Sequence, residues 1–187
     1  MSWYVDVILP LPLGGSFTYR LPQEYADTIQ TGSRVVVQFG VRRYYTALVL
    51  HKHTDAPQGN YDIKDVVEVL DTTPIVQPMQ LKLWQWIADY YMCALGDVYK
   101  AALPSGLKLE SETVVTLNDD FIAEAPLRDR EQKILDSLSA NPKQRVQQLL
   151  KNCGLRRGMQ AIKSLIEKSA IKIDETLRQS YKPRCEV

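Results

Sequence analysis

The sequence is poor in the residues that build disulfide-linked or metal-stabilised domains, with three cysteines and two histidines among 187 residues. Cys93, Cys153 and Cys185 lie far apart and are odd in number, which argues against a disulfide framework and favours a reducing compartment. No apolar run approaches the roughly 20 residues that a membrane helix needs, and residues 1–6 lack the basic and apolar pattern of a secretory signal. We therefore expect a cytoplasmic protein without a membrane segment.

Sequence signatures of catalysis are also missing. The chain has no Gly-x-x-x-x-Gly-Lys-Ser/Thr phosphate loop, no Gly-x-Ser-x-Gly nucleophile turn and no Cys-x-x-Cys pair. His51 and His53 would point to the same side of a strand, but no third metal ligand is evident and such pairs are usually solvated. We predict that this chain is not an enzyme and holds no metal, because a nucleophile, a ligand set and a nucleotide loop are all lacking.

Charge is distributed unevenly along the chain, although the net charge is only +1. Residues 1–125 carry 9 Lys/Arg and 15 Asp/Glu, whereas residues 126–187 carry 14 and 7. A basic carboxy-terminal third suits a polyanionic partner such as nucleic acid. A small domain with a solvated basic surface explains the same composition.

The first 75 residues have the alternation and turn spacing of β-structure. Gly14-Gly15, Gly32 and Gly40 mark turns between short runs rich in β-branched and aromatic residues. Five strands are predicted, over residues 4–9, 17–21, 34–39, 44–50 and 66–70. Short strands at this spacing predict a small antiparallel barrel or a strongly bent sheet.

The hydrophobic period then becomes helical. Pro78 suits the first turn of an amphipathic helix that runs to about Met92, and Gly96-Asp97 begins a shorter helix that ends before Pro104. One face of the first helix carries an apolar stripe of Leu81, Trp84, Ile87, Ala88 and Tyr91. The stripe is either part of the core, which helical spacing favours, or a platform on which bases stack.

The carboxy-terminal part predicts a winged-helix variant of the helix-turn-helix. Residues 107–125 form a connector with one strand over 113–117. Asn141-Pro142 is expected to cap the second of three short helices, and residues 170–173 form a strand after the third. The third helix has a polar, basic face made by Gln160 and by the cations Arg156, Arg157 and Lys163. That face either lies against DNA or bridges to another protein.

These patterns together predict an α+β chain with two folded units. A small antiparallel β-barrel-like domain with carboxy-terminal helices occupies residues 1–108, a linker occupies 109–125, and a winged-helix domain occupies 126–187.

Several short motifs in a fixed order resemble the amino-terminal part of the bacterial PriA family of replication-restart helicases, also called primosomal protein N′. They are residues 9–13 (LPLPL), 17–22 (FTYRLP), 32–40 (GSRVVVQFG), 64–71 (KDVVEVLD), 88–98 (ADYYMCALGDV) and 102–104 (ALP). Residues 126–175 match the family's winged helix in pattern only, and residues 178–181 are a weaker match to the link that leads to the motor.

The resemblance implies recognition of stalled replication forks and D-loops, with the first domain binding the 3′ end of a nascent strand and the winged helix contacting duplex. The implied partners are forked or D-loop DNA with a 3′ end and, in addition, single-stranded DNA-binding protein and other primosome proteins, at the nucleoid of a bacterial cytoplasm. In the family, ATP, Mg and structural Zn belong to regions outside this one, so the chain is expected to be a fragment. The alternative is a protein-interaction module that docks the helicase core or other restart proteins without touching DNA.

The resemblance also implies the residues that bind the 3′ end: Phe17, Thr18, Tyr19, Gly40 and Lys64. An aromatic ring stacks on a base with about 1–3 kcal/mol, a glycine admits backbone N–H groups close to a phosphate, and a lysine supplies a point charge. Thr18 stands where the family pattern has aspartate, so the charge assistance of a carboxylate is lost and a weaker contact with a 3′-hydroxyl is expected.

Structural roles explain the same residues equally well. The rings of Phe17 and Tyr19 can face the core, Gly40 can serve its turn alone, and Lys64 can be solvated. Arg42 and Arg43 add local positive charge, either for the DNA backbone or as an ordinary surface pair.

Overall fold

A computed structural model describes residues 2–41, 43–56, 62–109, 113–118, 120–121, 127–155 and 157–173. The first unit is an antiparallel five-stranded sheet with the strand order β2-β1-β4-β3-β5. Its strands are β1 (Trp3–Ile8), β2 (Phe17–Leu21), β3 (Arg34–Phe39), β4 (Arg43–His53) and β5 (Val66–Val69). The sheet curls into a half-barrel, and Arg20 on the edge strand β2 forms a bridge with Asp65, just before the other edge strand β5.

Alternation of side chains gives this sheet two buried faces. Val35 and Val37 of β3 point into the half-barrel, where they pack with residues of β1, β2 and β4. Val36, between them, points outward and is only 2% exposed because the second unit covers it. Burying one such aliphatic side chain contributes about 1.5–3 kcal/mol. The period of two therefore fixes which residues close the barrel and which carry the rest of the molecule.

Two helices cover the outer face of the sheet beside β1 and β4. Helix α1 (Pro78–Tyr91) begins with its proline in the first turn and ends at Met92, which has a left-handed φ of 52°. Helix α2 (Leu95–Ala102) follows at once. Both helices agree with the predicted ones to within about a residue. Two short 3-10 turns, Gln23–Tyr25 and Ser105–Leu107, complete the unit.

The apolar stripe predicted on α1 is only partly buried. Trp84 and Ala88 lie in the core with exposed fractions of 6% and 4%, and Trp84 stacks on Tyr99 of α2 with ring centroids 6.1 Å apart. Tyr91 is 68% exposed, so the prediction that it belongs to the buried stripe is wrong. It lies in the last turn of α1.

The second unit has a winged-helix fold. Its elements are β6 (Val114–Leu117), α3 (Asp129–Ala140), β7 (Lys143–Arg145), α4 (Val146–Asn152), α5 (Met159–Glu167) and β8 (Ile171–Ile173). The three strands pair antiparallel in the order β7-β6-β8. The α+β class, with a barrel-like sheet followed by a winged helix, is confirmed.

Two details of the sequence analysis are corrected by the second sheet. The strand predicted inside the 109–125 linker is its central strand β6, because the backbone groups of residues 114–117 are satisfied by β7 and β8 on either side. Asn141 ends α3, with its N–H donated to the carbonyl of Ser137. The short strand β7 intervenes before α4 begins at Val146, so Asn141-Pro142 does not cap α4.

The two units share one continuous hydrophobic core. Val36 and Leu70 of the first unit are buried in the same cluster as Ile134, Leu149 and Ile162 of the second. Leu109, at the start of the predicted linker, is 1% exposed, and its carbonyl accepts a hydrogen bond of 2.6 Å from the Thr46 hydroxyl. The described helices include none long and apolar enough to cross a membrane. The units are therefore packed against each other through side chains from both.

Candidate nucleic-acid interface

An open pocket of about 360 Å³ lies where β2 begins and β3 ends, and we call it the β2–β3 pocket. It is lined by Ser16, Phe17, Thr18, Tyr19, Gln38, Phe39, Gly40, Asp62 and Lys64. All five residues that the resemblance implied for a DNA end are among them, although they come from three separate segments of the chain. Closure of the half-barrel brings them together, because the segment before β5 runs beside β2.

The position of Lys64 is fixed by backbone contacts with β2. The N–H of Arg20 donates to the Lys64 carbonyl at 2.9 Å, and the Arg20 guanidinium lies 3.6 Å from the Asp65 carboxylate. The exposed Lys64 ammonium donates to the carbonyl of Gly40 across the pocket mouth. An ammonium has three donors, so this contact leaves donors for a phosphate oxygen.

Gly40 serves its turn through its conformation rather than through close packing. Its φ is +69°, a region that side chains with a Cβ adopt only with strain. A Cβ placed there would meet no atom within 4 Å. The glycine thus lets β3 turn into β4 within three residues and keeps this rim of the pocket open.

Aromatic rings line the pocket, but they are mostly engaged with the barrel core. Phe17 is half-buried and meets Phe39 edge to face, with ring centroids 5.0 Å apart. Tyr19 is 5% exposed, its hydroxyl donates to the Gln38 carbonyl at 3.2 Å, and burial raises its pKa to about 12. Phe17 is therefore better placed than Tyr19 to stack on a base, and Tyr19 supports the wall from within.

Thr18 also lines the pocket, and its hydroxyl lies where β2 meets β1. Its hydroxyl donates a hydrogen bond of 2.6 Å to Oδ1 of Asp6, the residue directly opposite in the strand register. The other carboxylate oxygen of Asp6 lies 3.4 Å from Nε2 of His53. Residue 18 thus lacks the carboxylate of the family pattern, but the carboxylate of Asp6 on the neighbouring strand lies beside it.

The paired arginines after the β3–β4 turn are placed only in part. Arg42 lies outside the described residues, whereas Arg43 is exposed and lines a shallow depression with Gly40 and Val41, next to the β2–β3 pocket. Arg43 also takes part in an interaction of its own. The prediction that both cations serve the DNA backbone stays a prediction.

Lys163, the basic residue within α5, is held by the first unit. Lys163 donates to the carbonyl of Leu70 at 2.8 Å and to Asp71 Oδ1 at 2.9 Å, both in the first unit. Arg157 pairs with Glu24 at 2.9 Å, with both side chains about half exposed. Arg156 lies outside the described residues. The expectation that Lys163 faces DNA is therefore at odds with its position, because the first unit covers that part of α5.

Two acidic side chains of the first unit organise this contact. Glu68 is 5% exposed and accepts the N–H groups of Met159 and Gln160, at 3.1 and 2.9 Å, which begin α5. Burial raises the pKa of Glu68, and the two backbone hydrogen bonds oppose that effect. Such N–H groups have no partner within the helix, so β5 provides the cap.

Asp71 joins Arg34 and Lys163 into a buried ionic cluster. Burial alone would raise its pKa, but hydrogen bonds from Arg34, at 2.7 and 2.8 Å, and from Lys163 hold the pKa below its usual value. The Arg34 guanidinium also donates to the Leu107 carbonyl at 3.0 Å. Arg34, read from the sequence only as the start of a strand, is thus buried within the first unit and holds the carboxylate that Lys163 of the second unit also binds.

A larger cleft, of about 640 Å³, lies between β5 and the helices α4 and α5. Its lining is largely apolar and includes Val36, Val67 and Leu150, so the cleft lies where side chains of the two units meet. The described residues include no cluster of three histidine, cysteine or carboxylate side chains arranged to hold a metal ion. His51 and His53 stack with ring centroids 5.8 Å apart.

Sequence reasoning missed four residues that shape these sites: Asp6, Phe39, Asp62 and Glu68. Phe39 could have been found, because it ends the strand before Gly40 and shares its face with Val35 and Val37. Asp6 and Glu68 act through partners 12 and more than 90 positions away. Contacts between residues so far apart in the sequence cannot be predicted from the spacing of residue types.

Comparison with known proteins agrees with this architecture. Residues 6–104 match the PriA family model described as the 3′ DNA-binding domain, and residues 112–176 match a winged helix domain. The replication restart protein PriA of Haemophilus influenzae is 33% identical over 115 residues, which is 62% of this chain and 15% of that protein. For PriA of Treponema pallidum the identity is 29% over 108 residues, 56% of this chain and 16% of that protein.

A third relative, PriA of Bacillus subtilis, is 30% identical over 96 residues, covering 51% of this chain and 12% of that protein. The matched region thus spans at most about one sixth of the length of these relatives. Because the model of the 3′ DNA-binding domain covers more than half of the sequence, the chain belongs to the PriA family of replication-restart proteins, of which it carries the 3′ DNA-binding domain and a winged helix domain.

Proposed function

We propose that this chain recognises stalled forks and D-loops by holding the 3′ end of the nascent strand in the β2–β3 pocket. The observation that supports this most directly is the convergence of Phe17, Gly40 and Lys64 on one open pocket inside the region that matches the 3′ DNA-binding domain. Phe17 provides a ring for the terminal base, Lys64 a cation for the adjacent phosphate, and Gly40 an unobstructed approach. Binding is expected to weaken with salt as counterions are released.

The test compares forks that differ only at the nascent 3′ end. Fluorescence anisotropy should give tighter binding to a fork with a free 3′-hydroxyl at the junction than to the same fork with a 3′-phosphate there. The phosphate adds bulk and negative charge in a pocket whose lining includes the carboxylate residue Asp62. Equal affinity for the two forks would rule out recognition of the 3′ end.

Lys64→Ala tests the phosphate contact separately. The variant should bind the fork less tightly, and the slope of log K against log salt should fall by about 0.7–0.9, the share of one phosphate contact. Lys82→Ala is the matched control, since it removes an exposed lysine of the same unit on α1. An unchanged slope for Lys64→Ala excludes this lysine as a phosphate contact.

For the winged helix, we propose contact with the duplex arm of the fork through Arg156 and Arg157. Arg157 is suited to this because a half-exposed ion pair contributes only about 0–1 kcal/mol and is readily exchanged for a phosphate. Fork affinity should fall in the double variant Arg156→Ala/Arg157→Ala. Affinity equal to that of the unmodified chain would remove the winged helix from the DNA interface.

A second candidate function is supported by the position of α5. Its first turn and Lys163 are held by the first unit, which suits a winged helix that serves to dock protein surfaces and touches no DNA. Lys163→Met separates the two functions. Loss of stability with unchanged fork affinity favours docking, whereas loss of affinity in a variant of normal stability favours DNA contact.

Activities of the longer relatives are proposed only for the family. ATP hydrolysis with Mg, DNA unwinding and a structural Zn site are assigned to regions outside the matched one, whereas single-stranded DNA-binding protein and other primosome proteins are proposed as further partners of this chain. We also propose that the chain works at the nucleoid of a bacterial cytoplasm. An ATPase assay on this chain, with and without forked DNA, checks that the motor lies elsewhere: turnover by the chain alone would contradict it.

A further inference from the structure

The hydroxyl of Thr18 has a fixed direction in this structure. It donates its single proton to Asp6 Oδ1 at 2.6 Å, the short distance typical of a hydroxyl bonded to a carboxylate. Because Thr18 and Asp6 are paired residues on adjacent antiparallel strands, the contact is imposed by the register of β1 and β2. Thr18 is also one of the residues that line the β2–β3 pocket.

A hydroxyl whose proton is committed in this way can only accept further hydrogen bonds. Its oxygen keeps two lone pairs and has no second donor. A free threonine could receive or give a hydrogen bond and would distinguish poorly between ligand groups. Asp6 removes that ambiguity and also polarises the oxygen, since the acceptor is bonded to a carboxylate.

The carboxylate of Asp6 also lies beside His53. Its Oδ2 lies 3.4 Å from His53 Nε2, and the His53 ring is stacked between Tyr4 and His51, with centroids 6.0 and 5.8 Å away. The Asp6 side chain is 28% exposed and that of His53 17% exposed. Asp6 does not line the pocket, so any influence on a ligand passes through Thr18.

We infer that Asp6 is a positioning residue that fixes Thr18 as a hydrogen-bond acceptor for a 3′-hydroxyl, so that a carboxylate on β1 supplies what the missing aspartate on β2 would have supplied. This inference rests on the proposed function of the β2–β3 pocket. Thr18 alone predicted a weaker contact with the 3′-hydroxyl. With Asp6 bonded to the Thr18 hydroxyl, a carboxylate again strengthens that contact, now through one intervening hydroxyl. A terminal 3′-hydroxyl can donate to Thr18, whereas a 3′-hydrogen or a 3′-phosphate dianion cannot.

The experiment measures how the chain distinguishes DNA ends. Affinities are determined for two forks that are identical except for a 3′-hydroxyl or a 3′-hydrogen on the nascent strand at the junction. Their ratio reports only on the terminal group, because all phosphate and base contacts are the same. Asp6→Asn keeps the shape and removes the charge, and Thr18→Val keeps the shape and removes the hydroxyl. Asp27→Asn, an exposed acid of the same unit, is the matched control.

The unmodified chain and Asp27→Asn should prefer the 3′-hydroxyl by about tenfold. Asp6→Asn should lower that preference about fivefold and Thr18→Val should abolish it, while affinity for the 3′-hydrogen fork stays the same. The double variant Asp6→Asn/Thr18→Asp returns the carboxylate to β2, and its preference should recover. Tryptophan fluorescence and the unfolding midpoint verify that each variant is folded.

Three results are decisive. If the unmodified chain does not distinguish the two ends, the proposed function of the pocket fails. If it does distinguish them and Asp6→Asn distinguishes them equally well, the role of Asp6 is wrong while the pocket's function stands. If the double variant is folded and does not regain the preference, the claim that Asp6 on β1 replaces an aspartate at residue 18 on β2 is also wrong.

Discussion

Glu131 shows how one side chain can join two elements. It is 1% exposed, and its carboxylate accepts hydrogen bonds from the Lys168 ammonium at 2.7 Å, the Arg128 N–H at 2.9 Å and the Ser164 hydroxyl at 2.7 Å. Burial alone would raise its pKa, but these donors, chiefly Lys168, lower it to about 2. Glu131 therefore caps α3 and ties it to α5 only while it is ionised.

Glu131→Gln should lower the free energy of unfolding by about 2–3 kcal/mol at pH 7. A folded pKa below the unfolded value of 4.5 means that this stabilisation is present above pH 4.5 and is lost as the pH falls toward about 2. Urea unfolding between pH 7 and pH 3 should give a flatter pH profile for the variant than for the unmodified chain. Asp129→Asn removes an exposed charge in the same turn and should keep the steep profile; identical profiles for Glu131→Gln and the unmodified chain would contradict the assignment.

Gly96 matters for a different reason, the close approach of α2 to the start of the chain. A Cβ at this residue would lie 2.1 Å from the carbonyl oxygen of Leu11 and 2.4 Å from that of Leu9. The motifs at residues 9–13 and 95–98 are therefore in close contact, although they lie far apart in the sequence. The backbone cannot move away cheaply, since both carbonyls belong to a segment beside the core.

Gly96→Ala should destabilise the chain by more than about 1–3 kcal/mol, the usual cost of overpacking a core, because backbone atoms rather than side chains obstruct the new methyl group. Thermal unfolding followed by tryptophan fluorescence gives the measurement. Gly14→Ala, where a Cβ would meet nothing within 4 Å, is the control and should leave the midpoint almost unchanged. Equal midpoints for the two variants would show that α2 can shift away.

At the scale of elements, the junction of β5 and α5 joins the two units. Helix α5 begins at Met159 without a side-chain cap of its own, and Glu68 of β5 accepts its first N–H groups instead. The negative carboxylate also lies at the positive end of the helix dipole. The helix that would read duplex in a winged-helix protein is thus oriented by a residue of the neighbouring unit.

Glu68→Ala should destabilise the chain by about 1–3 kcal/mol, because two backbone N–H groups are then left buried without an acceptor. Amide hydrogen exchange should accelerate most in the first turn of α5. Asp65→Ala, which removes an exposed acid just before the same strand, should change neither. Because burial raises the pKa of Glu68 above 4.5, the unmodified chain should lose part of its stability as the pH rises from 4.5 through the raised pKa. This pH dependence should vanish in Glu68→Ala.

At the scale of the whole molecule, the shared core couples the two units. All three tryptophans, Trp3, Trp84 and Trp86, lie in the first unit, whereas Ile162 is fully buried in the second. Val36, Leu70 and Leu109 of the first unit and its border lie in the same buried cluster as Ile162 and so connect the two units. Tryptophan fluorescence therefore reports on a unit that contains no part of α5, which makes the coupling measurable.

Ile162→Ala should lower stability by about 2–5 kcal/mol, as is usual for a buried aliphatic residue. If the units unfold together, the urea midpoint seen by tryptophan fluorescence shifts by the full amount although the change lies in the other unit. The exposed Lys172→Ala should leave it in place. An unshifted tryptophan transition, with a separate early transition of the second unit, would demonstrate independent units.

The sequence by itself determined the elements, because their signals are local. Alternation over residues 17–21 and 34–39 predicted β2 and β3 to the residue, and the helical period from Pro78 predicted α1. The motif resemblance also identified five residues that the structure brings to one pocket. Strand alternation and helical spacing depend on neighbours within a few positions, so they can be read without the fold.

Only the tertiary structure decided which surfaces remain free. The spacing of basic residues predicts a face of α5 that is free to contact DNA, yet Lys163 is bound to Leu70 and Asp71, more than 90 positions away. The sequence predicts that Thr18 removes a carboxylate from the 3′-end site, yet the strand register places the carboxylate residue Asp6 opposite it. Burial and hydrogen bonding between distant segments depend on how elements pack, and no local pattern encodes that packing.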